Sequence, residues 1–248
     1  MLSHGMKKRI QNAVRSLGYD IHRYSPPRDK YAEVHPAATY APWSADAAFL
    51  EIFRRVQAHT LVDEYRCFEL WSLVEQSRKR EGALIEVGVW RGGTGALIAQ
   101  RAKLSGIRDR VYLCDTFSGV VKASAKDSSY KGGEHSDTDL QTVERLLQGL
   151  GLENAICLKG IFPEETARSI EDAKIRFCHI DVDVYDSAKD VAEWVWPRLC
   201  VGGVIVYDDY GFATCDGVTR YVEEQFPLVD RAVMHNLNGH AVVVKTSP

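Results

Sequence analysis

From residue 83 onward the apolar positions fall into short runs separated by helical stretches and polar turns. Ala83–Val87 (ALIEV), Val111–Asp115 (VYLCD), Ala155–Lys159 (AICLK), Ile175–Asp181 (IRFCHID) and Val204–Asp208 (VIVYD) are compact, largely apolar runs of strand length. Runs of that kind suit strands buried on both faces. Helix formers fill Ala96–Ala102, a helical stretch spans Ser187–Trp196 and stops at Pro197, and another spans Gly217–Gln225. Gly202-Gly203 reads as the turn into the fifth strand. Two last apolar runs, Val229–His235 and Ala241–Lys245, flank Asn236–Gly239, whose composition suits a hairpin turn. Alternating β/α units followed by a hairpin predict an α/β fold: a doubly wound, mostly parallel, Rossmann-like sheet of seven strands with an antiparallel hairpin closing its edge.

The N-terminal part follows another pattern. Leu2, Met6, Ile10, Val14 and Leu17 recur at helical spacing among Lys7, Lys8, Arg9 and Arg15, with Gly18 as a stop. This predicts a short basic amphipathic helix, which can lie on an anionic membrane surface or pack on the body or a partner subunit. Residues 24–44 carry Pro26, Pro27, Pro36 and Pro42 and read as an extended connector. Ser44 is then a candidate helix cap. Ala48, Ile52 and Val56, then Tyr65, Phe68, Leu70 and Leu73, predict helices covering the sheet's edge. The division is therefore 1–45, helix and connector, and 46–248, the α/β domain.

Composition narrows the class. The 248 residues are 45% hydrophobic, enough for a sizeable core, and the net charge of -3 gives no footprint for nucleic acid. Within that total, residues 1–30 hold seven basic residues against Asp20 and Asp29, a local excess that matches the basic helix. The six cysteines form no CxxC pair, and Cys114, Cys157 and Cys178 fall inside strand-like runs. That reads as free thiols in a reducing, cytoplasmic setting. No membrane-spanning run and no signal-peptide core is visible.

Candidate chemistry collects at the strand ends. Ala83–Gly95 (ALIEVGVWRGGTG) is a strand, a glycine turn and a helix start, the place where an open parallel sheet binds a nucleotide-like ligand. The order E-x-G-x-x-x-G-G-x-G differs from the GxGxxG of NAD enzymes. An acid ahead of the turn, Glu86, is expected to face a cationic ligand part such as an ammonium or sulfonium, which favours S-adenosylmethionine. Asp115 stands where an acid can accept hydrogen bonds from ribose, the alternative being a cap for its own turn. Asp181, Asp183, Asp208 and Asp209 would repel one another unless a cation or shared proton offsets them. All-oxygen donors favour Mg²⁺, with Mn²⁺ or Ca²⁺ as alternatives, although Asp208 and Asp209 could instead cap the next turn. The polar segment Ser118–Thr138 reads as a lid, from which His135 and Asp137 could reach a substrate hydroxyl.

EVGVWRGGTG, DTFSG, KGIFPEE, HIDVDVYDSAKD and GGVIVYDDYG together resemble the macrocin O-methyltransferase family, over roughly Thr60 to Phe226. These are class I S-adenosylmethionine enzymes that methylate sugar hydroxyls with a divalent metal. The resemblance implies cofactor contacts from Thr60, Glu86, Gly88, Gly93, Thr94, Gly95, Asp115, Phe117, Ser118, Gly160, Ile161, Phe162 and Asp181. It implies a metal held by Asp181, Asp208 and Asp209, with Asp183 near enough to act as base or as an outer ligand; in the expected displacement Asp183 or the lid's His135 takes the hydroxyl proton, with Asp181 beside them at the reacting centre. Val182 departs from the family, which usually has glycine there, and the lid matches poorly.

The expected acceptor is a sugar-bearing small molecule or a lipid-linked glycan, the latter through peripheral membrane contact of residues 1–18 at the inner face of the membrane, as in polysaccharide biosynthesis. A homo-oligomer is compatible with the sequence. Methylation of a phenol or catechol is the enzyme rival, but Val184 and Tyr185 occupy the region where such enzymes often place a lysine base. A non-catalytic cofactor-binding partner in glycan assembly is the rival from another class.

Overall fold

In the computed structural model, residues 4–19, 21, 30–32, 34 and 38–248 are described, and the chain divides into two compact units, residues 1–36 and 37–248. In the first, α1 spans His4–Ser16 and ends where Gly18 turns left-handed (φ +83). Leu2, Pro26, Pro27 and Pro36 lie outside the described residues, as do Arg23 and Arg28 and the side chains of Lys7 and Lys8. No helix among the described residues is long and apolar enough to cross a membrane.

The second unit is built on β1 (Ala83–Val87), β2 (Val111–Asp115), β3 (Ala155–Lys159), β4 (Ile175–Ile180), β5 (Leu199–Tyr207), β6 (Arg231–His235) and β7 (Ala241–Lys245). They form one sheet in the order β3-β2-β1-β4-β5-β7-β6, parallel from β3 to β5, with β7 antiparallel to both β5 and β6. The expected fold class is therefore present. The last strand is inserted between β5 and β6, so β6 forms one edge of the sheet and β3 the other.

Strand alternation sends Leu84, Leu113, Phe177 and Val206 to one face, where they pack with α2 (Ala47–Val56), α3 (Glu64–Ser77), α4 (Gly93–Leu104) and α5 (Leu140–Leu150). Ile85, Cys178, Ile205 and Val243 point to the other face, against α6 (Tyr185–Val195) and α7 (Asp216–Glu223). Three local expectations change. The helices α2 and α3 cover a face, not an edge, because Phe49, Ile52, Leu70 and Trp71 join the core under α4. The cap of α2 is Asp46, whose carboxylate accepts from Phe49 N–H at 2.9 Å and from Trp71 Nε1 at 3.0 Å, while Ser44 lies in a 3-10 turn begun at Pro42. An ionised carboxylate serving two donors is the stronger cap. Finally, β5 starts at Leu199 and carries Gly202-Gly203 within it, at a register shift against β4. All six cysteines are free thiols.

Gly95 shows how closely α4 approaches the sheet. A Cβ there would lie 2.5 Å from Glu86 Oε2 and 2.8 Å from Leu113 Cδ2. Gly95→Ala is expected to lower stability by about 1–3 kcal/mol through this overlap, read as a reduced urea midpoint at unchanged slope.

Candidate active site

A cavity opens beyond the carboxyl ends of β1, β2, β4 and β5, floored by the glycine turn after β1 and partly covered by residues 119–135. The turn needs its glycines for close approach. Gly88 has φ +90, and a Cβ on it would sit 1.6 Å from the Asp181 carbonyl oxygen. That contact exists because the β1 and β4 ends are tied, with Asp181 N–H donating to Val87 O at 2.9 Å. At the start of α4, a Cβ on Gly93 would meet the His59 carbonyl at 2.7 Å, which is how the His59–Thr60 segment reaches the cavity.

Asp115 binds the strand ends together. Its Oδ2 accepts from Val89 N–H at 2.6 Å and Trp90 N–H at 2.8 Å, and its Oδ1 accepts from Phe117 N–H at 2.6 Å. It caps its own turn and also lines the cavity.

The acids after β4 and β5 lie close together. Asp181, Asp208 and Asp209 place carboxylate oxygens within 4.8 Å of one another. Burial, then the charges of Asp208 and Asp209, push the Asp181 carboxyl well above its usual range; burial and Asp208 do the same to Asp209. Asp183 is raised by burial, opposed by a hydrogen bond from Tyr130 and the charge of His135. Asp208 behaves differently. Burial raises it too, but His240 and Arg66 outweigh that and hold it at about 2. Arg66 Nη1 lies 2.8 and 2.7 Å from the two Asp208 oxygens, and His240 Nε2 lies 2.7 Å from Oδ1. Asp63 accepts from Arg66 Nε at 2.8 Å, and Glu69 Oε2 sits 2.6 Å from His240 Nδ1. His240, with burial opposing and the carboxylates of Asp208 and Glu69 prevailing, is raised to about 9.

The donor set fits a hard divalent ion. Asp209 Oδ2 is buried without a hydrogen-bond partner among the described residues, and three carboxylates converge where a proton or cation is required.

Of the residues expected at the site, Thr60, Gly88, Thr94, Asp115, Gly160, Phe162, Asp181, Asp183, His135, Asp208 and Asp209 line the cavity. Glu86 does not. It is fully buried, with Oε1 2.9 Å from His179 Nδ1, because position 86 alternates with position 84 onto the α4 face. The expectation that it faces a ligand's cationic part is corrected accordingly. Gly93 and Gly95 serve packing beneath the turn, and Phe117 joins the core on the α5 side. Ser118 is exposed, with its N–H donating to Thr116 Oγ1 at 3.1 Å, and Ile161 N–H is held by Glu165 Oε2 at 2.7 Å; neither lines the cavity. Asp137 is also corrected: Trp90 Nε1 donates to it at 2.8 Å and Arg91 Nη2 at 2.5 Å, so it anchors the lid to the glycine turn. His135 does line the cavity, 3.3 Å from the Tyr130 hydroxyl.

Sequence reasoning missed Arg66, His240 and Tyr130. Arg66 stands on α3, 142 residues from its partner Asp208, and nothing in its neighbourhood marks it.

A parallel sheet in this order, with a glycine turn after β1 and an acid after β2, defines a class I methyltransferase. The model of the macrocin-O-methyltransferase (TylF) family matches residues 44–235, and the chain belongs to that family. It is a S-adenosylmethionine-dependent O-methyltransferase. Mycinamicin III 3''-O-methyltransferase of Micromonospora griseorubida is 28% identical over 214 residues, 78% of this chain and 84% of the relative. The 8-demethyl-8-(2,3-dimethoxy-alpha-L-rhamnosyl)-tetracenomycin-C 4'-O-methyltransferase of Streptomyces olivaceus is 32% identical over 66% of this chain and 67% of its own. Among solved structures, the O-methyltransferase NovP superposes with a TM-score of 0.64 at 24% identity, covering 77% of this chain and 83% of its own.

The raised carboxyls carry a consequence for stability. An acid whose folded pKa exceeds its ordinary 3.8 keeps a proton that the unfolded chain releases, so stability falls as pH rises above that value. Asp209→Asn removes one such charge. In metal-free protein it is expected to raise the thermal midpoint at pH 7.5, with the gain shrinking towards pH 4.

Proposed function

We propose that this protein transfers a methyl group to a sugar hydroxyl of a glycosylated small molecule, and that the transfer depends on Mg²⁺. The observation that carries the metal part is the convergence of Asp181, Asp208 and Asp209 around the unpartnered Asp209 Oδ2. The sugar acceptor rests on the family and on the relatives named above.

These three aspartates would hold the ion, which lowers the pKa of a nearby hydroxyl and fixes its orientation. The chain's own residues do the rest. Thr60, the Gly88 turn and Thr94 would hold the methionine end of the cofactor, Asp115 its ribose, and Gly160 with Phe162 its adenine. Phe162 is kept in place by edge-on packing with Trp194, ring centroids 5.0 Å apart. The acceptor oxygen attacks the methyl carbon in line, the new C–O bond forms as the C–S bond breaks, and S-adenosylhomocysteine leaves. Asp183, with its carboxyl raised by burial, accepts the hydroxyl proton. Tyr130 and His135 steady Asp183 from the lid, which the Lys126–Asp186 pair (2.7 Å) and the Lys122–Asp190 pair (2.7 Å) tie to α6.

A phenolic acceptor is disfavoured by the residues after Asp183. Val184 is fully buried and Tyr185 opens α6, its hydroxyl donating to Glu224 at 2.7 Å, so no lysine base stands there. A lipid-linked saccharide is an extension of the same reading, supported by the basic α1 with Ile10 and Leu17 exposed. Co-sedimentation with anionic vesicles that is unchanged by deleting residues 1–20 would remove it.

The main test is methyl transfer from S-adenosylmethionine across a panel of glycosylated and phenolic acceptors, with and without chelator. Chelation is expected to abolish turnover and added Mg²⁺ to restore it. Asp183→Asn should lower kcat by about 10²–10⁴-fold while S-adenosylhomocysteine binding is retained. Full activity in chelator sinks the metal reading, and a preference for phenols sinks the sugar reading.

A further inference from the structure

Behind the aspartate cluster, deeper in the sheet, lie two histidines that the proposed reaction does not use. His179 on β4 and His240 before β7 are both fully buried, with ring centroids 5.9 Å apart. Each presents its Nδ1 to a glutamate: His179 to Glu86 at 2.9 Å and His240 to Glu69 at 2.6 Å. That hydrogen bond fixes the tautomer and leaves Nε2 to act elsewhere. Nε2 of His240 points to Asp208, at 2.7 Å. Nε2 of His179 is buried and has no partner among the described residues. One ring nitrogen from each histidine and one Asp208 oxygen lie within 4.8 Å of one another.

A histidine that gives one nitrogen to a carboxylate and keeps the other open is the arrangement found around ligated transition metals. His179 has this arrangement, and His240, oriented by Glu69 in the same way, already turns its other nitrogen to Asp208. The charge around it also requires compensation. Glu86, Glu69 and Asp208 contact the pair, and Glu86 Oε2 is a second buried atom without a partner among the described residues. Of these acids Arg66 pairs with Asp208, and it is braced by Asp63. Its contact with Asp208 does not fill that carboxylate, which offers about four lone-pair positions.

We propose that His179, Asp208 and His240 form a second, interior metal site, taking a borderline transition ion, Zn²⁺ first. Two imidazoles and one carboxylate are softer donors than the three aspartates in front, so the two sites select different ions. Ligands at about 2.0–2.2 Å would gather the three atoms after small side-chain adjustments. The proton between His240 Nε2 and Asp208 leaves to solvent as the ion enters. Entry is through the cavity, which Asp208 and Arg66 line. The ion would clamp β4, β5 and β7 together and hold Asp208 for the front site.

The test titrates the full chain, stripped of metal, with Co²⁺ and follows its visible absorption, in the wild type and in Asp209→Asn, His179→Gln and Glu86→Gln. One equivalent giving nitrogen-ligand bands is expected in the wild type and in Asp209→Asn. His179→Gln should lose the bands, and Glu86→Gln, which disturbs only the orienting contact, should weaken binding about 10–100-fold. S-adenosylhomocysteine binding reports that each variant is folded, and if His179→Gln does not fold, Glu86→Gln decides. Bands absent from the wild type, or unchanged in the folded His179→Gln or the deciding Glu86→Gln, overturn the proposal. Because Asp209→Asn disables the front site alone, failure of the Mg²⁺ reading leaves this result separately legible.

Discussion

Asp181, Asp183, Asp208 and Asp209 are carried to one place by the carboxyl ends of β4 and β5, and water is excluded from most of them. Burial and the neighbouring aspartates push the carboxyls of Asp181, Asp183 and Asp209 upward, whereas Asp208 is held low, because Arg66 and His240 sit directly on it. Removing one partner of a buried charge pair leaves the other uncompensated, which costs more than the pair contributes. Much of the architecture follows from that. α3 has to lie across the face of the sheet to deliver Arg66, and Asp63 at its N-terminus both caps it and braces the guanidinium. β7 has to enter between β5 and β6 so that His240, at its start, arrives beside the end of β5.

Close approach of backbone is the second requirement. Gly88 is crowded by the carbonyl of Asp181, and Gly95 by the carboxylate of Glu86. The glycine turn is thus shaped as much by the strand beside it and the helix behind it as by any ligand. Lid attachment follows the same economy of contacts. Asp127, midway along the segment, is nearly fully buried and accepts from Tyr185 N–H and Ser124 N–H, both at 2.9 Å, while Asp137 grips Trp90 and Arg91 near its end. The polar segment is therefore bound at its middle and at its end to elements that carry site residues.

The sheet was legible because strands buried on both faces must be apolar throughout, and the site was legible because parallel strands deliver their end residues to one edge. Asp115, Asp181, Asp208 and Asp209 needed no more than that. Glu86 was misread for a reason internal to the same logic: strand ends point towards the crevice, but alternation decides which face a side chain takes, and position 86 takes the α4 face. Arg66 and His240 were not legible. Each is a single polar residue on an element whose apolar positions give the only pattern, and the pairings span 142 and 32 residues with no local turn or spacing to announce them. Ser44 reads as a cap from its residue type alone, whereas Asp46, the cap in the fold, also holds Trp71, 25 residues away.

Val182 shows how a departure from a motif can be structurally silent. Glycine between two aspartates suggests a backbone that only glycine can adopt, yet the left-handed residue here is Asp183 (φ +64), one position later; Asp209, in the second pair, has the same φ. A left-handed conformation costs an aspartate about 1 kcal/mol or more, and less than it would cost a β-branched residue. Local hydrogen bonds hold it, Val184 N–H to Val182 O at 2.7 Å after the first pair and Phe212 N–H to Asp209 O at 3.2 Å after the second. Reversing the chain at Asp209 lets the consecutive acids Asp208 and Asp209 both line the cavity, which an extended strand, alternating its side chains between faces, would forbid. Position 182 then needs only to fit beside Gly88, where a valine methyl lies 3.4 Å from the site of the missing Cβ. Valine is tolerated because the strain was never located there.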